Sequence, residues 1–331
     1  MTVADLINKS QDAENFTKEE LTLMLSFPSD SPEAFRVMAE ASRISKELSE
    51  GFAEVHAQFS LDLAPCSCNC RFCSFAAVNG VFGKSDEISA DEAVEKARSF
   101  EKDGANAVFI MTSADYPFKK FIEMSREIRR SVSKETVLIA NVGDRTQKEA
   151  ELMTNAGYRG VYHALRLREG RDTSIDPEKR KASLRAFHNA GLKIGTCVEP
   201  VGPEHTNAEL AEMILFTASL NPVFSGAARR ITIPGGALEK FGMISELRMA
   251  QIVAVTRLGM PRNVPGNCTH EPCTLGALAG ANLFWAEAGA NPRDTKEKTE
   301  EGRGGTVAAG RRLFRETGWE TLSGPSRYYS R

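Results

Sequence analysis

The chain has 331 residues, of which 41% are hydrophobic and 26% charged, a balance typical of a globular protein with a substantial core. Its net charge of −2 comes without a long basic or acidic block, which argues against binding to nucleic acid or to a membrane surface. No run approaches the roughly 20 apolar residues of a membrane span. The N-terminus lacks the features of a signal peptide, so we expect a cytoplasmic protein whose seven cysteines favour metal or cluster ligation over disulfides.

Residues 1–50 are predicted to form an N-terminal helical segment, because apolar residues recur there at three- and four-residue spacing. From residue 54 strand-like and helix-like runs alternate. The strand candidates are 55–63, 105–112, 136–143, 158–165, 192–201, 228–234, 261–267 and 282–288. This alternation predicts an α/β fold with a (β/α)8 TIM-type barrel over 51–290, followed by a C-terminal helix and tail over 291–331. The alternative is an open doubly wound sheet, but no glycine-rich dinucleotide fingerprint follows the first strand.

Four cysteines follow the first predicted strand, in "CSCNCRFC" at 66–73. Cys66, Cys70 and Cys73 have the spacing C-x3-C-x2-C, and three thiolates on one loop can bind three irons of a cubane cluster, leaving the fourth iron open. The alternative is a zinc site, with Cys268, His270 and Cys273 of "CTHEPC" as the second half. Barrel active sites lie at the carboxyl ends of strands, where this loop falls, and this favours a catalytic cluster.

The C-x3-C-x2-C motif, with Phe72 just before its last cysteine, resembles the radical S-adenosylmethionine (AdoMet) superfamily. The resemblance implies a [4Fe–4S] cluster whose open iron binds AdoMet. One electron, from a reductant such as ferredoxin or flavodoxin, would release a 5′-deoxyadenosyl radical that abstracts a substrate hydrogen. "ITIPGGALE", "AVTRLGMP" and "LAGAN" resemble the biotin synthase subgroup, which includes methylornithine synthase and a hydrogenase maturase. "HALRLREG" at 163–170 is closer to the latter two.

The resemblance also suggests residues that bind AdoMet. Met111, Thr112 and Ser113 follow the second strand, where the family's backbone binds the AdoMet amino group, although the usual glycines and glutamate are missing here. Arg180 stands where the subgroup often has an arginine for the AdoMet carboxylate. The alternative for Arg180 is an ordinary solvated charge on a helix.

Charged residues end the fourth and fifth predicted strands. We expect at least one of Arg166, Arg168 and Glu169 to face the pocket. Glu199 ends the fifth strand and is a candidate for binding ribose or substrate, with a plain salt bridge as the alternative.

The remaining cysteines are Cys68, Cys197, Cys268 and Cys273, all expected around the same barrel mouth. Four thiols are enough for an auxiliary [4Fe–4S] cluster. Biotin synthase holds a second cluster there as a sulfur donor, but its ligands on strands two and three have no counterpart in "FIMTSA" and "LIANVG". The alternatives are a buried core role for Cys197 and a polar turn for "CTHEPC".

The tail "SGPSRYYSR" (323–331) resembles the serine-containing C-terminal tail of lipoyl synthase, which implies Ser326 as a further cluster ligand. A disordered tail is the alternative. Together these features predict sulfur insertion into an unactivated C–H bond of a small molecule or of an octanoyl group on a carrier-protein lysine, with a second radical AdoMet subunit as partner. A single-cluster, methylornithine-synthase-like mutase or cofactor-biosynthesis enzyme is one alternative, and a zinc-stabilised, non-catalytic scaffold is another.

Overall fold

Three helices precede the barrel in the structure, a computed structural model that describes residues 1–271, 273–288 and 305–330. They are α1 (Val3–Gln11), α2 (Lys18–Ser26) and α3 (Pro32–Leu48). Each begins where a hydroxyl side chain, of Thr2, Thr17 or Ser31, accepts a hydrogen bond from a backbone N–H of the first turn. Such a cap satisfies an otherwise unpaired donor and so fixes the start of the helix.

The strands of the described residues form one closed parallel barrel with small additions. They are β1 (Phe52–Ser60), β2 (Asp62–Leu63), β3 (Asp86–Glu87), β4 (Val108–Met111), β5 (Leu138–Asn141), β6 (Tyr158–Tyr162), β7 (Lys193–Gly195), β8 (Val198–Val201), β9 (Phe224–Arg229), β10 (Gly266–Thr269), β11 (Leu283–Ala288) and β12 (Glu320–Thr321). The ring runs β1-β4-β5-β6-β7-β9-β10-β11, β8 continues the line of β7, and β11 returns to β1. The eight-stranded barrel is confirmed, and the open sheet is excluded.

Helices follow the strands and cover the outside of the barrel. They are α4 (Ala90–Lys102), α5 (Phe118–Ser131), α6 (Gln147–Asn155), α7 (Pro177–Asn189), α8 (Asn207–Ser219), α9 (Glu246–Gly259), α10 (Thr274–Leu278) and α11 (Val307–Glu316). The N-terminal helices α2 and α3 pack on α8 and α9, so they form a second outer layer on one side. Among the described helices, none has the length and apolar character needed to cross a membrane. The expected domain boundary at 290/291 lies outside the described residues.

Side chains of β1 alternate between the helical layer and the barrel interior. Val55 and Phe59 belong to the core shared with the helices, whereas His56 points inward. The His56 ring lies 5.5 Å from Phe109 and 6.2 Å from Trp285, centre to centre. Gln58, two residues further along β1, reaches the cavity above this aromatic layer. The barrel interior is therefore aromatic toward the amino ends of the strands and polar toward their carboxyl ends.

The C-terminal tail (residues 322–330) closes the amino end of the barrel. β12 pairs with the first two residues of β1, and the Ser326 amide donates to the Asn106 carbonyl oxygen, 2.7 Å away and just before β4. The Tyr329 ring is buried beside His56 and fills the space left by the missing side chain of Gly160, where a Cβ would lie 2.4 Å from that ring. The tail is thus an ordered part of the barrel core.

Two strands lie away from their expected positions. β9 covers Phe224–Arg229 rather than 228–234, and β10 covers Gly266–Thr269 rather than 261–267. The β-branched run "ITIP" suggested the later position for β9. The actual strand uses the small residue Gly226, because a Cβ there would lie 2.1 Å from the Cys268 carbonyl oxygen and the φ angle is +137°. Close backbone approach therefore outweighed β-propensity.

Candidate active site at the carboxyl end of the barrel

An open cavity lies at the carboxyl ends of the barrel strands. Its walls come from side chains at or just beyond those ends, including Gln58, Met111, Asn141, Tyr162 and Glu199. This is the place where TIM-type barrels build their active sites, since loops from several strands converge there.

The cysteine loop (residues 66–73) forms one wall of the cavity. Cys66, Cys68, Cys70 and Cys73 are all half-buried and all line it. Phe72, between the last two cysteines, lines it as well. Behind the loop an apolar cluster of Phe75, Phe82 and Met111 supports the sulfurs of Cys66 and Cys73. The structure therefore presents all four thiols of this short segment to one space.

Neighbouring loops hold the cysteine loop in place through its backbone. The Cys68 carbonyl oxygen accepts a hydrogen bond from Ser174, 2.8 Å away, and the Arg71 amide donates to Asp172 at 2.9 Å. The amide and hydroxyl of Ser67 both donate to the Asp115 carboxylate at 2.6 Å. These bonds tie the loop to the segments that follow β6 and β4, so its shape is set before any ligand binds.

The donor chemistry of the loop fits an iron–sulfur cluster. A hydrogen bond from the Cys68 thiol lowers the pKa of Cys66 to about 6, whereas burial raises the pKa of Cys70 to about 11. Burial also raises the pKa of Cys73. Cys70 and Cys73 are thus neutral thiols when no cation is near, and metal binding would release their protons. Three thiols with an apolar backing suit a cluster that leaves one iron open.

The segment after β4 is fixed by a buried carboxylate. Met111, Thr112 and Ser113 line the cavity. The Ser113 amide and hydroxyl donate to the two oxygens of Asp62, at 2.7 and 2.5 Å. Burial raises the pKa of Asp62, against the effect of these two hydrogen bonds. The position expected for AdoMet binding is therefore held rigidly against the wall next to the cysteine loop.

Two arginines bring positive charge to the cavity. Arg166 lies with its Nε 3.8 Å from Glu199, and both line the cavity. Arg180 also lines it, with its guanidinium 3.3 Å from Asp144 and 3.5 Å from Glu169. Arg180 is therefore a buried cavity residue and not the solvated helix charge of the alternative interpretation.

The other two charged residues after β6 do not line the cavity. Arg168 has a φ of +57°, which turns its side chain toward Glu209, 2.8 Å away, and the Glu204 carbonyl. Glu169 accepts hydrogen bonds from the Thr173 hydroxyl at 2.7 Å and the Arg166 amide at 3.1 Å. Of the three residues, Arg166 thus faces the pocket, in agreement with the expectation that at least one would, and the backbone conformation at Arg168 turns the other two away. Glu169 supports Arg180 from behind.

A second group of donors lies inside the barrel, directly next to the cavity wall. The sulfurs of Cys197 and Cys268 are 2.8 Å apart, and both residues are fully buried. Their donor atoms and one ring nitrogen of His270 lie within 4.8 Å of one another. The alternative of a lone buried core cysteine therefore does not describe Cys197. We call Cys197, Cys268 and His270 the interior thiol site.

Cys273, Cys68 and Ser326 lie elsewhere. The Cys273 sulfur caps α10 by accepting a hydrogen bond from the Gly276 amide at 3.3 Å. Cys68 stays in the cysteine loop beside Cys66. Ser326 lies at the amino end of the barrel, while clusters were expected at the carboxyl end. The length of a barrel strand separates it from the cavity, so the structure does not bring the four extra thiols and Ser326 together.

Several cavity residues were not anticipated from the sequence. They are Gln58, Asn141, Tyr162, Arg229 and Arg230. Gln58 and Asn141 are hydrogen-bonded to each other at 2.9 Å across two strands. A polar residue at the end of an otherwise apolar strand was the available signal, because it indicates a side chain that faces a cavity instead of a helix.

Comparison with known proteins agrees with this site. Residues 65–217, which include the cysteine loop and strands β3 to β8, match the family model of the Radical SAM superfamily. A biotin synthase from Prochlorococcus marinus (strain MIT 9515) is 23% identical over 268 residues, 75% of each chain. A biotin synthase from Neisseria meningitidis serogroup C (strain 053442) is 27% identical over 270 residues, 73% of this chain and 76% of that protein. These matches argue against a zinc-stabilised scaffold.

Solved structures share the complete fold. Methylornithine synthase superimposes with a TM-score of 0.80 over 98% of both chains at 15% identity. A FeFe-hydrogenase maturase from Carboxydothermus hydrogenoformans superimposes with a TM-score of 0.79 over 99% of this chain and 80% of that one, at 18% identity. At such identities the likeness establishes the barrel architecture and leaves the reaction to be argued from the site.

Proposed function

Because the chain belongs to the radical SAM superfamily, we propose that it holds a [4Fe–4S] cluster through Cys66, Cys70 and Cys73 and binds AdoMet in the adjoining cavity. In this superfamily the cluster supplies one electron that splits AdoMet into methionine and a 5′-deoxyadenosyl radical, which removes a hydrogen atom from the substrate. The observation that carries the proposal is that all three cysteines of the motif line one preformed cavity at the carboxyl end of the barrel.

The side chains of the cavity suit a zwitterionic cofactor. Arg166 and Arg180 provide positive charge for a carboxylate, and Glu199 provides negative charge close to Arg166. Burial and then the charge of Arg180 lower the pKa of His163 to about 3, so this histidine stays neutral beside the guanidinium. Asp144 and Glu169 hold the guanidinium of Arg180 in position from the other side.

The more specific part of the proposal is that the substrate carbon radical receives sulfur from a second iron–sulfur centre. It is supported by the two thiols of the interior thiol site, which lie beneath Glu199 and His270 of the cavity wall. The distant similarity to biotin synthases is consistent with it. The proposed substrate is an octanoyl group on a carrier-protein lysine, with a ferredoxin or flavodoxin as reductant and a second radical AdoMet subunit as partner.

One observation favours a single-cluster mutase or cofactor-biosynthesis enzyme instead. The inward positions at the ends of β4 and β5 are Met111 and Asn141, so these strands carry no cysteine toward the cavity. The ligands that biotin synthase has on its second and third strands are therefore not reproduced.

Anaerobic reconstitution with iron and sulfide tests both parts. Reduced protein with AdoMet is expected to release 5′-deoxyadenosine, and a Cys66→Ala/Cys70→Ala/Cys73→Ala variant is expected to release none. Iron and sulfide analysis then separates the alternatives, with about eight irons per chain for two cubane clusters and about four for one. Incubation with an octanoyl-lysine peptide should add sulfur to the peptide, as detected by mass spectrometry. Absence of 5′-deoxyadenosine from reconstituted wild-type protein would refute the proposed class.

A further inference from the structure

The interior thiol site brings together donors from β10, from the residue that follows it, and from the junction between β7 and β8. The two sulfurs are 2.8 Å apart, and the three donor atoms lie within 4.8 Å of one another. We propose that Cys197, Cys268 and His270 bind one thiophilic metal ion through two thiolates and an imidazole, at a second centre separate from the cysteine loop.

The distances suit one ion bound by all three residues. A tetrahedral ion with bonds of about 2.3 Å to sulfur and 2.0–2.1 Å to nitrogen keeps its ligand atoms within about 4 Å of one another. Small side-chain movements, which separate the sulfurs by about 1 Å, would satisfy this geometry. The donor set of two cysteines and one histidine is one that zinc and iron both accept.

The short distance between the two sulfurs favours a bound cation. Two sulfurs held 2.8 Å apart are too close for relaxed neutral thiols and too far apart for a disulfide bond of about 2.05 Å. A metal ion would displace the two thiol protons and replace this contact with two metal–sulfur bonds.

The surroundings of His270 resemble the outer shell of a metal-binding histidine. The Tyr162 hydroxyl lies 3.0 Å from its Nε2, and a Glu199 oxygen lies 3.6 Å from the same atom. The Trp285 ring stacks on the imidazole, with ring centres 4.6 Å apart and planes at 19°. Partners of this kind fix the orientation of a ligand ring and tune its basicity.

Three protein ligands leave a fourth position on a tetrahedral ion. His270 and Glu199 line the cavity, and Cys197 and Cys268 lie two residues nearer the amino ends of the same chain segments. The open position therefore faces the cavity. The ion is either a single metal ion or the nearest iron of an iron–sulfur cluster. If it belongs to a cluster, this cluster is the proposed sulfur donor, and the inference then rests on the sulfur-insertion proposal.

The test uses the full-length Cys66→Ala/Cys70→Ala/Cys73→Ala variant, whose cysteine loop has lost its motif ligands. Under anaerobic conditions one sample receives zinc alone and another receives iron with sulfide. We expect at least one metal ion per chain to remain after desalting. Further substitution of Cys197→Ser, Cys268→Ser or His270→Gln should reduce this bound metal at least tenfold. Cys273→Ala is the matched control and should change it less than twofold.

The two samples also identify the form of the centre. If the protein retains zinc but does not retain iron and sulfide, the site binds a single ion. If it retains iron and sulfide in equal amounts, the site binds a cluster. Both results support the ligand assignment. Circular dichroism of each variant confirms that metal loss does not come from unfolding. The inference is overturned if reduced protein retains no metal, if His270→Gln retains it fully, or if Cys273→Ala loses it.

Activity of the wild-type protein separates this inference from the proposed function. Sulfur added to substrate by a protein whose interior thiol site binds no metal would overturn the ligand assignment and leave the proposed function standing. Metal bound at the site, with 5′-deoxyadenosine formed but no sulfur transferred, would leave the assignment standing and overturn sulfur insertion.

Discussion

Arg180→Met removes the cation that two buried carboxylates share, and we expect it to destabilise the fold measurably. The guanidinium lies 3.3 Å from Asp144 and 3.5 Å from Glu169, and these two side chains are 9% and 1% exposed. Removing one partner of a buried ion pair costs about 3–5 kcal/mol, because the remaining charge is buried without compensation. With an unfolding entropy of about 2.1 cal/mol/K per residue, the 331-residue chain should lose about 4–7 °C in Tm.

Differential scanning calorimetry under anaerobic conditions measures this shift. Arg185→Met, on the exposed face of the same helix α7, is the matched control and should change the free energy of unfolding by less than about 0.5 kcal/mol. Asp144→Asn combined with Arg180→Met should recover part of the loss. Equal Tm values for the Arg180 and Arg185 variants would refute the conclusion that this buried network needs its guanidinium.

Three further predictions concern the two ends of the barrel. Tyr329→Ala, which empties a buried position, should cost about 3–5 kcal/mol in urea unfolding, whereas the exposed neighbour Ser330→Ala should cost almost nothing. Gly160→Ala would place a Cβ 2.4 Å from the Tyr329 ring and should lower the urea midpoint by an amount equivalent to about 1–3 kcal/mol. A hydrogen bond from Arg168 lowers the pKa of Glu209 to about 2 from 4.5, so its stabilisation is complete above pH 4.5 and is lost as the pH falls toward 2. Glu209→Gln should therefore flatten the pH dependence of Tm in that interval, and an unchanged slope would contradict the ion pair.

The barrel and the cysteine loop could be predicted from the sequence because both are local patterns. Alternating apolar runs indicated the strands, and the spacing of Cys66, Cys70 and Cys73 indicated the cluster ligands. The direction of side chains after β6 could not be predicted, since it depends on a single residue in the left-handed region, Arg168. A spacing pattern does not report such a reversal.

The interior thiol site also needed the three-dimensional structure. Cys197 and Cys268 are 71 residues apart in the chain. They meet because β7–β8 and β10 are separated in the ring by β9 alone, and side chains of alternate strands share one layer of a barrel. From the sequence we expect both cysteines around the barrel mouth. How far each side chain lies below the cavity depends on the register of the strands. The expectation that Ser326 binds a cluster fails for a related reason. The likeness of the tail to a cluster-binding tail is local, whereas the pairing of β12 with β1 places the tail at the amino end of the barrel.

The aromatic layer and the C-terminal tail fill the barrel axis toward the amino ends of the strands. His56, Phe224, Trp285 and Tyr329 are each at most 4% exposed, so they seal the axis below the cavity. If AdoMet and a substrate bind in the cavity as proposed, both enter, and their products leave, through its opening at the carboxyl ends of the strands. The molecule that binds deeper has to enter first and leave last. Steady-state kinetics should accordingly follow a compulsory order, with the second reactant slowing the escape of the first.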